Sequence, residues 1–195
     1  MLNLIKVVVL GLVAFGLLVF FTAEKPKQIV ANDNVVNLIK YEKLPDIYEL
    51  VGIDKDVSKK KIFKRGVETL IVVGNHDSLS VVKDLPKLFK ISQNYVMVAN
   101  ISSAPWFVKK MFIPSKLEEL NKGTNIPMIY DDDAQMVNTL NLSDTTKTKF
   151  FAYLLTKEGM VSKIYEGSVK AGALDGSMTE EEKKKSLEPL VKLLK

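Results

Sequence analysis

Asn75-His76-Asp77-Ser78 sets the three residue types of a hydrolase triad in a row, so nucleophilic acyl transfer is the first chemistry to weigh. Adjacent residues cannot aim their side chains at one another as nucleophile, base and orienter, and no G-x-S-x-G turn occurs. Contact with a ligand or partner, or plain capping of a helix, are the competing uses of this turn. A second cluster, Asp131-Asp132-Asp133, offers hard oxygen ligands for a divalent cation. Consecutive residues diverge in direction and the D-x-D-x-D-G spacing is absent, so a helix N-terminus explains the acids better and no metal is expected. The chain has no cysteine, which excludes thiolate nucleophiles, disulfide exchange and Cys-ligated metals, and its single His makes a His-rich metal site improbable. No cofactor is expected.

Two further groups suit contact rather than catalysis. Trp106, the only Trp, lies between Ala104-Pro105 and Phe107, with Lys109 and Lys110 just beyond, and Met111-Phe112-Ile113-Pro114 extends the apolar stretch. Core packing and a partner anchor are both open for it. Lys59, Lys60, Lys61, Lys64 and Arg65, with Lys55 nearby, form a basic run that would suit a solvated strand edge, or else anionic headgroups or an acidic partner. With 28 Lys+Arg against 23 Asp+Glu, net +5, the overall charge gives no argument for nucleic acid.

The elements that would position these residues begin at Val67-Glu68-Thr69-Leu70-Ile71-Val72-Val73-Gly74, an apolar β-branched run that predicts a strand buried on both faces of a parallel sheet. Asp77 or Ser78 then caps a helix with Leu79, Val82, Leu85, Leu88 and Phe89 at helical spacing, kinked at Pro86. Residues 95–101 repeat the buried-strand pattern, so the connection is β-helix-β and the two strands are parallel. Residues 104–121 are helical, restarting near Pro114; 126–130 form a third strand, and a helix of about ten residues follows the acids. Residues 150–155 and 161–165 flank Thr156-Lys157-Glu158-Gly159 as a hairpin, and Thr179 with Glu182 makes a capping box before a last amphipathic helix.

Ahead of all this, residues 7–23 carry no charge and cover about 26 Å of helix at ~1.5 Å per residue, enough for a single transmembrane signal anchor. A cleaved signal peptide is the rival reading, disfavoured because Phe21-Thr22-Ala23 puts Phe where a small residue is wanted. The sequence therefore divides into an anchor (1–23), a linker and N-terminal extension (24–66) and one α/β domain (67–195). The expected location is the inner membrane, with the domain in the periplasm or cell exterior.

The order β-α-β-α-β-α-β-β-α resembles the thioredoxin-like superfamily, and Leu70 to Pro86 lays without gaps on that family's strand, active-site turn and kinked helix. In this register Ser78 and Val81 replace the two redox cysteines and Asp77 the preceding Trp, while Thr145-Thr146-Lys147-Thr148 stands where the family has its cis-proline loop. The resemblance implies a three-layer α/β/α fold with a mixed sheet but no redox chemistry. Asn100, Ala104-Pro105, Phe107-Val108, the Asp131 strand exit and Leu154 to Gly159 are similar to the YtfJ-type bacterial periplasmic proteins, which also lack a paired-cysteine site. The expected function is a membrane-anchored, redox-inactive binding or scaffold protein, an accessory subunit of an inner-membrane or envelope complex rather than an enzyme. His76, Asp77, Ser78, Trp106 and Phe107 are its candidate partner contacts. An enzyme of non-thiol chemistry, hydrolytic or metal-dependent, at the His76–Ser80 turn is the alternative.

Overall fold

The computed structural model describes residues 38–194. The apolar stretch 7–23 and the Glu24-Lys25-Pro26-Lys27 segment lie outside the described residues, among which no helix is long and apolar enough to cross a membrane. Eight strands form one mixed sheet: β1 (Ile39–Lys40), β2 (Ile47–Leu50), β3 (Ile53–Ser58), β4 (Thr69–Gly74), β5 (Asn94–Asn100), β6 (Met128–Asp131), β7 (Lys149–Leu155) and β8 (Met160–Ser168). Their order across the sheet is β1-β8-β7-β4-β5-β6-β2-β3. Only β4, β5 and β6 run parallel to one another; every other pairing is antiparallel.

All of β4 is buried, as its uninterrupted apolar sequence requires at the centre of a sheet covered on both sides. Its alternate residues feed two cores. Leu70 and Val72 pack with Leu79, Leu85, Leu187 and Leu190. Ile71 and Val73 pack with Tyr41, Phe63, Met136 and Val137 on the opposite face. The helices supplying the first core are α2 (His76–Val82), α3 (Leu85–Leu88), the helix Ile113–Asn121 through Leu117, and the last helix, Glu180–Leu193; the second core is covered by the short helix α1 (Lys59–Ile62) and by Gln135–Thr139. Helices thus lie on both faces of a mixed sheet that ends in an antiparallel hairpin and one last helix.

Asn75 caps α2, ahead of the expected Asp77 or Ser78, which lie inside the helix; at Pro86, Gly159 and Thr179–Glu182 the local expectations agree. The helix after β4 breaks between Val82 and Leu85, with Pro86 in the first turn of the second segment, where its missing N–H costs nothing. Lys183 clamps this break to the last helix by an ion pair with Asp84 of 2.6 Å. Burial opposes the Asp84 charge, but the hydrogen bonds from Lys183 and Lys83 outweigh it and hold the carboxyl below its ordinary range. Gly159 takes φ +82° in the turn joining β7 and β8, and both arms of the Thr179–Glu182 capping box are present.

The division at residue 66 is corrected. Residues 39–62 supply β1 at one sheet edge, β2 and β3 at the other, and α1, so they belong to the same folded body as the rest. These strands escape a search for apolar runs because β2 buries only Tyr48 and Leu50, and β3 buries nothing. Asp54, Lys55 and Asp56 instead put charge along an outer edge, which discourages pairing with another chain. The helix after the acids is also shorter than expected: it spans only Gln135–Thr139, following Ala134 at φ +65°.

Candidate functional site

The His76–Ser78, Trp106–Phe107 and Asp131 candidates gather where β4, β5 and β6 end, the edge at which open α/β sheets place ligands, whereas the basic run Lys59–Arg65 lies at the other edge, where β4 and β5 begin. At the exit of β4, Asn75 caps α2 by accepting from the His76 N–H at 2.8 Å. The Ser78 hydroxyl is used twice inside the turn, accepting from the Asn75 N–H at 2.9 Å and donating to the Asn75 carbonyl at 2.8 Å. It packs so closely that a Cβ on Gly74 would stand 2.7 Å from it. Ser78 is fully buried and presents no surface to a partner. Asp77 is committed as well: its two oxygens accept the backbone N–H groups of Gly172 and Leu174, each at 3.1 Å, tying the turn to the loop before the last helix. His76 is exposed.

This geometry answers the triad question. The Ser78 hydroxyl and the Asp77 carboxylate are both engaged with backbone, so the three side chains form no nucleophile–base–orienter relay. Asp77→Ala should cost about 1–3 kcal/mol by stranding two loop amides. Hydrogen exchange of the Gly172 and Leu174 amides is expected to accelerate selectively, and unchanged protection at both would contradict the clamp.

The resemblance implies a loop beside this turn, but not the hydrogen bonds that hold the loop against the turn. The segment 144–148, which occupies the cis-proline loop position of the resemblance, lies directly against it. Asn75 Nδ2 donates to the Thr145 carbonyl at 3.3 Å, and the Ser78 N–H donates to the Lys147 carbonyl at 3.1 Å. Asn100, at the end of β5, reaches the Asp144 carbonyl at 3.1 Å. Asp144 itself is held below its usual range: burial works against its charge, but hydrogen bonds from Thr146 and Lys149 outweigh it. Two asparagine amides, half-buried Asn75 and buried Asn100, therefore sew the loop to two strand exits. The signal in the sequence was a polar Asn where each buried apolar run stops, Asn75 just after β4 and Asn100 as the last residue of β5.

At the exit of β6, Asp131 is buried and accepts from the Met136 and Val137 N–H groups at 2.9 and 3.0 Å, while Asp133 accepts from the Gln135 N–H. Burial of Asp131 outweighs those two hydrogen bonds, and Asp133 and Asp132 add to it, so the carboxyl is pushed up to about 6. Among the described residues no group of three His, Asp or Glu side chains is placed to hold a metal. An open cleft of about 280 Å³ lies beside the β2–β3 hairpin, lined among others by Glu49, Asp54, Asp56 and Glu118.

The second patch follows β5. Helices α4 (Trp106–Met111) and α5 (Ile113–Asn121) cross from β5 to β6. Phe107 turns inward and is buried, whereas Trp106, Met111 and Phe112 are 60%, 70% and 53% exposed. Lys109 is buried beneath them, donating to the carbonyls of Asp132 at 2.8 Å and Ser102 at 3.2 Å, so it pins this corner to both strand exits. The basic run divides likewise. Lys60, Lys61 and Lys64 are exposed, and Arg65 pairs with Glu42 at 2.9 Å. Lys59 is only 7% exposed and leaves the surface run: it donates to the Leu44 carbonyl at 2.7 Å and pairs with Asp46, because α1 folds back onto the 41–46 turn.

No family model and no curated protein matches this chain. Among solved structures, a secreted Mycobacterium tuberculosis disulfide oxidoreductase homologous to E. coli DsbE is similar at 14% identity, covering 76% of this chain and 98% of its own, with a TM-score of 0.38. An uncharacterized thioredoxin-like protein from Porphyromonas gingivalis is similar at 12% identity, covering 80% and 94%, with a TM-score of 0.41. Likenesses at this level add nothing to what the strand order and pairing already establish, a mixed α/β sheet with helices on both faces.

Proposed function

We propose that this protein is a redox-inactive, thioredoxin-like binding or scaffold module, held at a membrane by residues 7–23, with the folded domain outside the cytoplasm, and serving as an accessory subunit of an inner-membrane or envelope complex. The observation that carries the reading is the β4 exit. There the turn, the kinked helix and the 144–148 loop meet, the segments that the sequence resemblance aligns with a thioredoxin-like active-site edge, and the positions it aligns with the two thiols hold a buried Ser78 and a buried Val81. A chain without cysteine cannot exchange disulfides, so what remains of that edge is a recognition surface: exposed His76 beside the 144–148 loop. The narrower likeness to YtfJ-type periplasmic proteins belongs to this proposal and rests on the Asn100–Val108 and Leu154–Gly159 segments.

The test is extraction of the full-length protein in mild detergent, size-exclusion chromatography, and identification of whatever co-migrates. A stable assembly that loses its partner in a His76→Ala, Thr146→Ala variant supports the reading. A lone monomer, or an assembly indifferent to that variant, removes the β4 exit as its binding surface.

A further inference from the structure

We infer that the α4–α5 corner is a docking patch for an anionic lipid bilayer, which sets the orientation of the domain on the membrane to which it is tethered. The first argument is composition in place. Trp106, Met111 and Phe112 are large apolar side chains more than half exposed at one corner, and Lys110 and Lys116 stand exposed beside them. Trp106 and Lys110 are four residues apart on α4 and so share its outer face. From Ile101 to Leu117 the chain has no carboxylate and three lysines, of which Lys110 and Lys116 are exposed; the acids that follow on α5, Glu118 and Glu119, line the cleft against Val51 and Gly52. An amphipathic surface of Trp, Phe and Met rimmed by Lys is what an anionic headgroup layer receives: rings at the acyl boundary, ammonium groups among the phosphates.

The second argument is rigidity. The corner is held from below by Lys109, bonded to the exits of β5 and β6, by buried Phe107, and by the Tyr130 hydroxyl donating to the Lys109 carbonyl. The apolar side chains are therefore presented by a fixed base, which reduces what ordering would cost on contact. The third argument is reach, and it rests on the membrane-tethered reading above. The fourteen residues 24–37 between the apolar stretch and the described domain span at most ~50 Å. A domain of this size has a radius of gyration of ~15 Å, so the patch is never out of range of the bilayer and acts at high effective concentration.

Trp106 is the only tryptophan, so its fluorescence reports this patch alone. The experiment reconstitutes the full chain into phosphatidylcholine vesicles and into vesicles containing phosphatidylglycerol, each with and without acyl-brominated lipid. In anionic vesicles the emission should shift to the blue and be quenched by the brominated lipid; in neutral vesicles Trp106 should stay accessible to aqueous quencher. Lys110→Gln with Lys116→Gln, both exposed, should lower the bromine-quenched fraction by roughly tenfold, with circular dichroism unchanged. Equal quenching in both membranes, or none in either, overturns the inference. So does a Trp106 that is shielded only when a co-purified protein is added. Flotation on neutral vesicles separates the two claims: a chain that floats only on anionic vesicles, with Trp106 quenched, loses the anchor and keeps the docking patch.

Discussion

Gly167→Ala is expected to destabilise the domain by about 1–3 kcal/mol, a large loss for adding one methyl group. Gly167 faces Phe150 across the β7–β8 ladder. A Cβ there would lie 2.3 Å from Phe150 Cζ, 2.6 Å from its Cε1 and 2.7 Å from Tyr165 Cε1. The Gly167 backbone is ordinary strand, so the requirement is for space and not for a special dihedral angle. Phe150 cannot move aside: it is fully buried in the core shared with α2 and the last helix, and its ring packs against Tyr165 at 5.8 Å. Phe150→Ala should itself cost about 3–5 kcal/mol through lost burial and the cavity left behind. In that background the two Phe150 contacts are gone and only the approach to Tyr165 Cε1 at 2.7 Å remains, so the double variant should be more stable than the sum of the single effects implies, by about 0.5–3 kcal/mol. Urea unfolding of the four proteins measures this, and strict additivity would mean that the ring over the glycine is not what forbids the side chain.

The second large effect is a pH dependence at Asp131. Its folded-state pKa, pushed up to about 6 chiefly by burial, stands well above the value near 4 expected in the unfolded chain. Between these values the native state holds a proton that the unfolded state has released, so stability from this group falls as pH rises. The contribution is fully present below pH ~4 and lost as pH passes ~6, amounting to roughly 3 kcal/mol across the window. Asp84, Asp144 and Glu166, whose carboxyls are held below their ordinary range, act with the opposite sign, so the whole-protein curve blends both. Comparing wild type with Asp131→Asn cancels them: the stability advantage of wild type should shrink by that amount from pH 4 to pH 7. A difference independent of pH would place the Asp131 titration elsewhere. The physical origin is a conflict within one side chain, which must cap the helix Gln135–Thr139 from a position that excludes water.

Much of this fold was legible because its signals are local. A β-branched run with no polar interruption fits only a strand covered on both faces, and Thr69–Gly74 and Asn94–Asn100 are such strands. Pro86, Gly159 and the Thr179–Glu182 pair dictate a break, a turn and a cap through their own dihedral angles or hydrogen bonds, whatever surrounds them. The candidate site was legible only as an address. Asn75 to Ser78 was placed at the exit of the first core strand, and that is where it lies, but which of its side chains face solvent was not.

By itself, then, the sequence determined the absence of thiol chemistry, the buried parallel strands, the hairpin and the cap of the last helix, since each depends on residues within one turn or one strand. The tertiary structure alone decided that the segment 39–62 completes the sheet, that Lys59 is buried while its neighbours are not, and that Asp77 holds a loop ninety-five residues away. It also decided that the 144–148 loop closes on the β4 exit through Asn75 and Asn100. These outcomes share one cause. A polar side chain's role is set by the partner that reaches it, and that partner arrives by strand pairing and helix packing across the whole sheet, for which no short stretch of sequence carries the pattern.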